Sequence, residues 1–233
     1  MSFKPCIIVP VYNHGAGACL LAEKLQAFCF PAIFVNDGSH ADCTESLRQL
    51  ATRHDWIEVV EHEKNSGKGS AVLSGLRTAQ GQGFSHGLQI DADNQHNTDD
   101  IPHFLAVAEQ NPNAVVTGQP LFDAGVPLGR KMARYLTHVW VWAETLSFTI
   151  RDSMCGFRVY PIDAVTDLAE RVRIGQHMDF DSDILVRLFW TGMPVISLPT
   201  DVTYPPDGIS HFRMFRDNVL ITRMHVRLVF GML

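Results

Sequence analysis

Short apolar runs alternate with amphipathic stretches over the first 120 residues. The run at residues 6–11 is continuously apolar, which is typical of a parallel strand that is buried on both faces. Further strands are predicted at residues 32–35, 56–60, 87–90 and 114–117, and helices at 17–28, 42–54, 70–79 and 99–110. Strands that alternate with helices at this spacing form β-α-β units with right-handed crossovers. This half of the chain therefore predicts an α/β fold, with a mostly parallel sheet flanked by helices.

The alternation breaks after residue 120. A loop at 121–128 precedes a long predicted helix at 130–148, and later elements are a strand at 157–160, a helix at 181–190 and strands at 194–198 and 200–204. No linker, repeat or low-complexity segment separates the two halves. We therefore predict a single domain over residues 1–233. Its parts would be a nucleotide-binding half (1–120), a half for the second substrate (121–211) and a C-terminal helix (212–233).

Composition narrows the function classes. The chain carries 19 Lys and Arg residues against 25 Asp and Glu, and this net charge of −6 argues against a general nucleic-acid-binding protein, which would present a basic surface. No run reaches the roughly 18 consecutive apolar residues of a membrane span, and the N-terminus shows no signal-peptide pattern. The five cysteines lack C-x-x-C spacing and the 11 histidines form no H-x-x-x-H pair. These features favour reduced thiols in a cytoplasmic protein, without a Cys or His metal site.

The most informative stretch follows the strand predicted at 87–90. Asp91 and Asp93 are two residues apart, so in an extended chain their side chains point to the same side, and Gln95 follows on that side. Enzymes that use nucleotides commonly bind Mg²⁺ or Mn²⁺ through few protein oxygens and leave the remaining positions for phosphates. These three residues are therefore a candidate metal site. The alternative for an isolated Asp-x-Asp is a solvated acidic turn.

Three further strand ends carry polar or glycine-containing segments. Pro10-Val11-Tyr12-Asn13 ends the first strand, Asn36-Asp37-Gly38-Ser39 ends the second, and Asn65-Ser66-Gly67-Lys68-Gly69 follows the third and opens a helix. In open parallel sheets, ligands bind beyond the carboxyl ends of the strands. Small residues at a helix start let backbone N–H groups approach phosphate, and Lys68 would add a positive charge. Each segment alone is also typical of a plain turn, but four at one sheet edge predict a shared binding site.

In this ordered set of motifs the chain resembles the inverting family 2 glycosyltransferases of GT-A fold, and among them the dolichyl- or polyprenyl-phosphate mannose synthases. Two later segments extend the resemblance over nearly the whole chain: Asp152-Ser153-Met154-Cys155-Gly156-Phe157-Arg158 and Phe180-Asp181-Ser182-Asp183. The resemblance implies a Rossmann-like nucleotide-binding sheet, a nucleoside-diphosphate sugar donor and Mg²⁺ or Mn²⁺. The cation would act as a Lewis acid that stabilises charge on the departing diphosphate.

The resemblance also implies roles for single residues on the donor side. Asp93 and Gln95 would ligate the metal, and Asp91 would contact the ribose, a metal-bound water or the metal itself. Asp37 would hydrogen-bond the base, and Lys68 would lie near the ribose or diphosphate. The nucleotide pocket would also be lined by Pro10, Tyr12 and Asn13.

The acceptor side is implied by residues that are spread over the second half of the chain. They are Asp152, Gly156, Phe157, Arg158, Arg130, Arg134, Ser210 and His211. The synthases carry phosphate-binding cations in a late loop, where this chain has Pro205 and His211, so a polyprenyl-phosphate acceptor is less firmly implied than the superfamily.

Two carboxylates at the start of a helix are candidates for a general base. Asp183 occupies the place that the family usually gives to Glu, and Asp181 precedes it. Either could deprotonate a hydroxyl acceptor. The alternative is that acidic residues here complement a helix dipole. A phosphate acceptor is already ionised and would need no strong base.

The C-terminal segment, residues 211–233, interleaves arginines with apolar residues. A basic amphipathic helix can lie in an anionic membrane surface, which would make the protein peripheral on the cytoplasmic face of a membrane. The alternative is a helix that packs on the domain or in a dimer.

The sequence thus predicts a metal-dependent inverting glycosyltransferase that moves a sugar from a nucleoside-diphosphate sugar to an acceptor, with a polyprenyl phosphate or another lipid-linked acceptor as the candidate. A non-catalytic sugar-nucleotide-binding module is one alternative, favoured by the lost late-loop cations. A sugar-phosphate nucleotidyltransferase is another. Those enzymes carry a Gly-rich loop that ends in Thr-Arg after the first strand, of which residues 12–17 keep only a trace.

Overall fold

The computed structural model describes residues 2–122, 128–203 and 213–232, except for the side chains of residues 122, 128–131, 133, 214 and 232. Its strands are β1 (Pro5–Val11), β2 (Ala32–Asn36), β3 (Ile57–Glu61), β4 (His86–Gln89), β5 (Val115–Phe122), β6 (Arg158–Pro161) and β7 (Val195–Val202). Its α-helices are α1 (Gly15–Leu25), α2 (Ala41–Arg53), α3 (Lys68–Gly81), α4 (Ile101–Gln110), α5 (Leu128–Thr145), α6 (Ile162–Arg171), α7 (Phe180–Trp190) and α8 (Met214–Met232).

The strands form one sheet in the order β3-β2-β1-β4-β6-β5-β7. β6 runs antiparallel to both of its neighbours, β4 and β5, while the other neighbouring pairs are parallel. The prediction of an α/β fold with a mostly parallel sheet is confirmed. β1 and β4 lie side by side near the middle of the sheet, so the segments that follow them leave the same edge.

Each face of the sheet is covered by its own layer of helices. Because successive side chains of a strand point to opposite faces, Ile8 of β1 packs with α3, α5, α6, α7 and α8, while Ile7 and Val9 pack with α1, α2 and α4. The C-terminal helix α8 joins the first layer through Met224 and Leu228, which are buried. The packing alternative is therefore what the structure shows for the inward face of α8. None of the helices in the described ranges is long and apolar enough to cross a membrane.

The structure departs from the predicted elements in three places. Helix α6 was not predicted, although Pro161 precedes it and Asp163 lies in its first turn. The two late strands are one continuous strand, β7, because β7 lies at the edge of the sheet beside β5 and an edge strand tolerates Pro199. Helix α5 ends at Thr145, three residues early, where Leu146 adopts a left-handed conformation with φ 48°.

Candidate functional site

The acidic run after β4 opens onto a small cavity of about 100 Å³. Asp91, Asp93 and Gln95 all line it, although the run turns at residues 92–94, where Asn94 has φ 58°, and does not continue as the extended chain that the spacing argument assumes. The remaining lining residues come from the same acidic segment, β5, α5, β7 and the turn before β6: His96, Pro120, Arg134, Met154, Cys155, Gly156 and Val202. A larger cavity of about 480 Å³ is lined by Phe148, Thr149, Arg151, Val195 and Ser197, and none of the strand-end motifs contributes to it.

Two carboxylates in the smaller cavity lack enough positive partners. Burial raises the pKa of Asp93 to about 6, and the neighbouring charge of Asp91 adds to this effect. The Oδ1 atom of Asp91 is buried with no hydrogen-bond partner among the described residues. Buried anionic oxygens of this kind are costly unless a cation or donor satisfies them. The pair therefore fits a divalent cation.

The composition of the site also fits a cation that is shared with a ligand. No group of three or more His, Cys, Asp or Glu residues within the described ranges could hold a metal. Asp91, Asp93 and the Gln95 amide would supply only part of an oxygen shell, which is typical of Mg²⁺ or Mn²⁺ sites where phosphates complete the coordination. Neither the metal nor its exact ligands are tested by the structure, so the ligand set stays a prediction.

Lys68 bridges the two halves of the chain. Its Nζ atom lies 2.8 Å from Asp91 Oδ2 and 2.8 Å from Asp181 Oδ2. Burial lowers the pKa of Lys68, but the charges of Asp181 and Asp91 outweigh burial and hold it above its usual value. The sequence places Lys68 near the ribose or diphosphate. In the structure this ammonium group is instead the counter-ion of two carboxylates, and a donor contact stays a prediction.

Backbone N–H groups at the start of α3 have acceptors within the protein, and the predicted approach of this segment to a phosphate stays a prediction. Ser66 and Gly67 donate to the carboxylate of Asp37 at 2.9 and 2.8 Å, and Ser70 donates to the carbonyl oxygen of Gln176 at 3.2 Å. Gly67 has φ 101°, a conformation that favours glycine, and a Cβ there would clash with His177. The glycines therefore serve close packing of this turn.

Asp37 holds the turn that follows β3. Besides the two N–H groups, its Oδ1 pairs with His62 Nδ1 at 2.8 Å, and the residue is only 2% exposed. Three protein donors leave one acceptor position on Oδ2 of this buried carboxylate, so most of its capacity is used within the protein. The proposed contact with the base stays a prediction that this geometry does not favour.

The residues at the end of β1 tie the first two strand ends together. Asn13 adopts φ 52°, receives a hydrogen bond on Oδ1 from His40 N at 2.8 Å, and donates from its own N–H to Ser39 Oγ at 2.9 Å. Pro10 and Tyr12 are half-buried beside it. The structure thus brings these residues to the predicted sheet edge, but their contact with a nucleotide is untested.

Arg134 is the cation that the acceptor side contributes to the cavity. Its Nε and Nη2 atoms lie 2.5 and 2.7 Å from the two oxygens of Asp152, a bidentate pair that fixes the guanidinium plane. Asp152 also accepts from the N–H groups of Met154 and Cys155, both at 2.9 Å. Asp152 therefore positions both Arg134 and the turn that lines the cavity.

Phe157 and Arg158 are fully buried, and their predicted contact with the acceptor stays a prediction. The guanidinium of Arg158 donates to Thr117, to the Tyr160 hydroxyl and to the carbonyl oxygens of residues 153, 155 and 181. Phe157 packs on Phe104 and stacks on His96. These side chains hold the 152–157 turn in place from beneath and do not reach the cavity.

Gly156 lies where the turn meets the ion pair. A Cβ on Gly156 would lie 2.6 Å from Asp91 Oδ2 and 2.7 Å from Lys68 Nζ. We expect Gly156→Ala to displace this ion pair, to lower the free energy of unfolding by about 1–3 kcal/mol and to reduce turnover about tenfold. Chemical denaturation and initial rates would measure the two effects.

A matched control is available on α3. A Cβ on Gly81 would meet no heavy atom within 4 Å, so Gly81→Ala should change stability by less than about 1 kcal/mol and leave turnover alone. Wild-type turnover in Gly156→Ala would show that the close approach of the turn to the ion pair is unimportant.

Neither candidate general base has a free carboxylate. Asp181 is paired with Lys68 and accepts from Gln89 Nε2 at 3.0 Å. Burial raises its pKa, but Lys68 and Arg158 outweigh burial and hold the pKa below its usual value. Asp183 is fully buried, receives Arg187 at 2.7 Å and Gly175 N at 2.7 Å, and is also paired with Arg227 of α8. Neither lines the smaller cavity, so the geometry favours a structural role for both.

Three predicted acceptor-side side chains lie outside the part of the chain that the structure describes, and one residue that the sequence does not predict lines the cavity. Ser210 and His211 lie outside the described residues, as does the side chain of Arg130. His96 was missed by the sequence analysis although it directly follows Gln95. It lines the cavity, and burial lowers its pKa to about 4, so its imidazole is neutral near pH 7. An aromatic neighbour such as Phe157 is a tertiary contact that no local pattern indicates.

The carboxylate-lined cavity lies at the edge of a mostly parallel sheet, and comparison with known proteins identifies the family to which this arrangement belongs. The profile of Glycosyl transferase family 2 matches residues 6–162, so the chain belongs to that family and is a glycosyltransferase. A dolichyl-phosphate beta-glucosyltransferase of Trichomonas vaginalis is 24% identical over 213 residues, which cover 83% of this chain and 62% of that protein.

Further similarity extends to other relatives and to solved structures. An undecaprenyl-phosphate 4-deoxy-4-formamido-L-arabinose transferase of Pseudomonas syringae pv. syringae is 31% identical over 119 residues, 48% of this chain and 34% of that protein. The chain therefore matches less than two thirds of either relative's length. Glucosyl-3-phosphoglycerate synthase from Mycobacterium tuberculosis, solved with Mn²⁺ and UDP-glucose, has a TM-score of 0.70 at 13% identity and covers 99% of this chain and 79% of that one. At this identity the likeness shows the GT-A fold alone.

Proposed function

We propose that this chain transfers a sugar, with inversion, from a nucleoside-diphosphate sugar to a phosphorylated lipid. The observation that carries the proposal is the cavity in which Asp91 and Asp93 face Arg134, so that a cation-binding pair and a phosphate-binding cation share one space. A divalent cation would bind between Asp91 and Asp93, and Arg134 would attract the anionic group of the second substrate. The names of both relatives, which contain undecaprenyl phosphate and dolichyl phosphate, support the acceptor class.

On the donor side, the chain's own residues would bind and orient the diphosphate. Asp93 and Gln95, with Asp91 beside them, would hold Mg²⁺ or Mn²⁺, and when bound the cation would neutralise charge on the leaving nucleoside diphosphate. Lys68 keeps Asp91 in place through a 2.8 Å contact. The acceptor would attack the anomeric carbon from the face opposite the leaving group, which inverts its configuration.

On the acceptor side, the ion pairs made by the two candidate general bases favour a phosphate over a hydroxyl. Asp181 and Asp183 are both held in ion pairs, and neither lines the cavity where the acceptor would lie. A phosphate monoester is largely ionised near neutral pH and attacks without a strong base. Arg134, whose plane Asp152 fixes through Nε and Nη2, would place positive charge beside that phosphate.

The experiment that tests this function measures release of nucleoside diphosphate from a panel of UDP- and GDP-sugars with Mn²⁺ or Mg²⁺. Each donor is tested with a polyprenyl phosphate, with the matching unphosphorylated polyprenol, and without acceptor. We expect release that requires both the metal and the phosphorylated lipid. Equal release with the polyprenol would contradict an ionised acceptor.

A non-catalytic sugar-nucleotide-binding module remains the second candidate. The lost late-loop cations favour it, because Pro205 and His211 stand where the resembling synthases carry cations. Metal-dependent nucleotide binding with no release from any donor would establish that alternative.

A further inference from the structure

Helix α5 is apolar on two opposite faces. Its inward face buries Val141 in the core layer shared with α7 and α8. Its outward face exposes Met132, Leu136 and Val139, at 72%, 61% and 42% of their surfaces. These positions recur every three to four residues, so they form one stripe along the helix. A helix that only covers a sheet would present polar residues on this side.

Helix α8 repeats the arrangement beside α5. Met224 and Leu228 face inward, whereas Phe215, Val226 and Phe230 are exposed. The two helices touch where His225 stacks on Trp140 at 5.9 Å and pairs with Glu144 at 2.7 Å. Because both helices bury their inward sides in the same layer, their outward sides lie next to each other. We refer to Met132, Leu136, Val139, Phe215, Val226 and Phe230 as the α5–α8 outer face.

The two segments that carry the α5–α8 outer face differ in net charge from the rest of the chain. Two of their arginines face inward, where Arg134 pairs with Asp152 and Arg227 with Asp183, while Arg213, Arg216 and Arg223 are exposed. Residues 128–151 and 213–232 contain eight Lys and Arg residues and two acidic ones, Glu144 and Asp217, and both acidic residues are buried. The whole chain has 19 basic and 25 acidic residues, so the remainder holds 11 basic and 23 acidic ones. A protein of net charge −6 thus gathers its positive charge along two helices that expose apolar side chains.

We infer that the α5–α8 outer face docks on the surface of an anionic lipid bilayer. Apolar side chains flanked by arginines are the combination that binds such a surface, because the apolar groups enter the headgroup region while the cations face acidic lipids. A second copy of the chain fits less well. In a two-fold dimer the same basic face would meet itself, and like charges would repel.

This inference deepens the proposed function, since α5 carries both the outer face and Arg134. Arg134 lines the cavity from the same helix whose opposite side carries Leu136 and Val139. Docking would therefore hold the acceptor-binding cation about one helix diameter, roughly 10 Å, from the lipid headgroups. It would replace the sequence-based expectation that α8 alone contacts the membrane.

The test is co-sedimentation of the full chain with vesicles of phosphatidylcholine, with and without about one third phosphatidylglycerol, at low and high salt. We expect binding to the anionic vesicles that weakens as salt rises. Leu136→Asp should lower the ratio of bound to free protein about tenfold, because it removes an inserted apolar group and adds a charge that anionic lipid repels.

Leu20 provides the matched control. It lies on α1 in the other helix layer and is 48% exposed, so Leu20→Asp makes the same change away from the outer face and should bind vesicles like the wild type. Equal binding of the wild type and Leu136→Asp would overturn the inference. So would a wild-type dimer in sedimentation velocity that Leu136→Asp converts to a monomer.

The vesicle measurement needs no sugar donor. A failure to bind vesicles would leave the transferase chemistry standing, and a failure of donor turnover would leave vesicle binding to be judged by itself.

Discussion

Asp93→Asn is expected to lower turnover by about a hundredfold to a thousandfold, the loss typical when a preorganised charge that stabilises a leaving group is removed. The variant should nevertheless fold. Burial and Asp91 raise the pKa of Asp93 to about 6, which means that its ionised form is unfavourable in the folded protein. A neutral asparagine removes that cost, so without metal the variant should be at least as stable as the wild type at pH 7.

The sign of the pH dependence follows from the same raised pKa. A carboxyl group whose pKa is higher in the folded than in the unfolded protein favours unfolding once it is ionised, so this contribution to stability is regained as pH falls below about 6. Mn²⁺ competes with that proton, and its binding to the wild type should weaken over the same range. Asp93→Asn should lose this pH dependence along with most of the Mn²⁺ binding, which calorimetry would measure.

Asp99→Asn is the matched control for Asp93→Asn. Asp99 is exposed and lies six residues further along the same loop, so the same change there should leave turnover and Mn²⁺ binding unaltered. Near wild-type turnover in Asp93→Asn, with Asp99→Asn behaving likewise, would refute the metal assignment.

Lys68→Met is expected to cost about 3–5 kcal/mol of folding free energy at pH 7, the range found when one partner of a buried ion pair is removed. The Lys68 side chain is 15% exposed and pairs with two carboxylates, so its loss leaves Asp91 and Asp181 close together without the ammonium group that they share. Turnover should also fall, because Asp91 would no longer be held beside the cavity. Denaturant titration at several pH values would measure the stability change.

The pH profile distinguishes loss of charge from loss of packing. In the wild type, Lys68 and Arg158 hold the pKa of Asp181 below its usual value despite burial. The ion pair therefore stabilises the folded protein at pH values above the pKa that Asp181 has in the unfolded chain. This stabilisation is lost as the pH falls through the pKa that Asp181 has in the folded protein. Without Lys68 the pKa of Asp181 is lowered less. Acidification should therefore reduce the difference in free energy of unfolding between Lys68→Met and the wild type. Lys64→Met is the control, because Lys64 is exposed in the loop before α3. Its free energy of unfolding should equal that of the wild type at each pH. A difference between Lys68→Met and the wild type that stays constant with pH would indicate lost packing alone.

The sequence predicts most of the sheet because the strands are short apolar runs that alternate with helices at a regular spacing. The sequence pattern predicts two strands, separated at Pro199, where the structure has the single strand β7. A local pattern does not show that a strand will lie at the edge of the sheet, where a proline is tolerated. Helix α6 was missed because it follows β6 directly, without a turn residue between the two elements.

The candidate site was predicted only as far as local order allows. Asp91, Asp93 and Gln95 follow one strand, and they do line one cavity. Pairing between distant residues is a different matter. Lys68 meets Asp181 across 113 positions and Asp183 meets Arg227 across 44, so local order does not indicate these two pairs, whereas the pair of Asp183 with Arg187 is local. Arg158, which the resemblance assigns to the acceptor side, donates to backbone carbonyl oxygens in the structure.

The antiparallel strand β6 affects how the chain can assemble as it is synthesised. β1 to β4 are all made by residue 89 and neighbour one another in the sheet, so they can pair as soon as they emerge. β5 emerges next, but both of its neighbours, β6 and β7, are made later. It must wait about 40 residues for β6, at roughly 5–20 residues per second on the ribosome. Residue 120 is therefore a poor place to divide the chain, because a nascent protein of that length ends in a strand without neighbours.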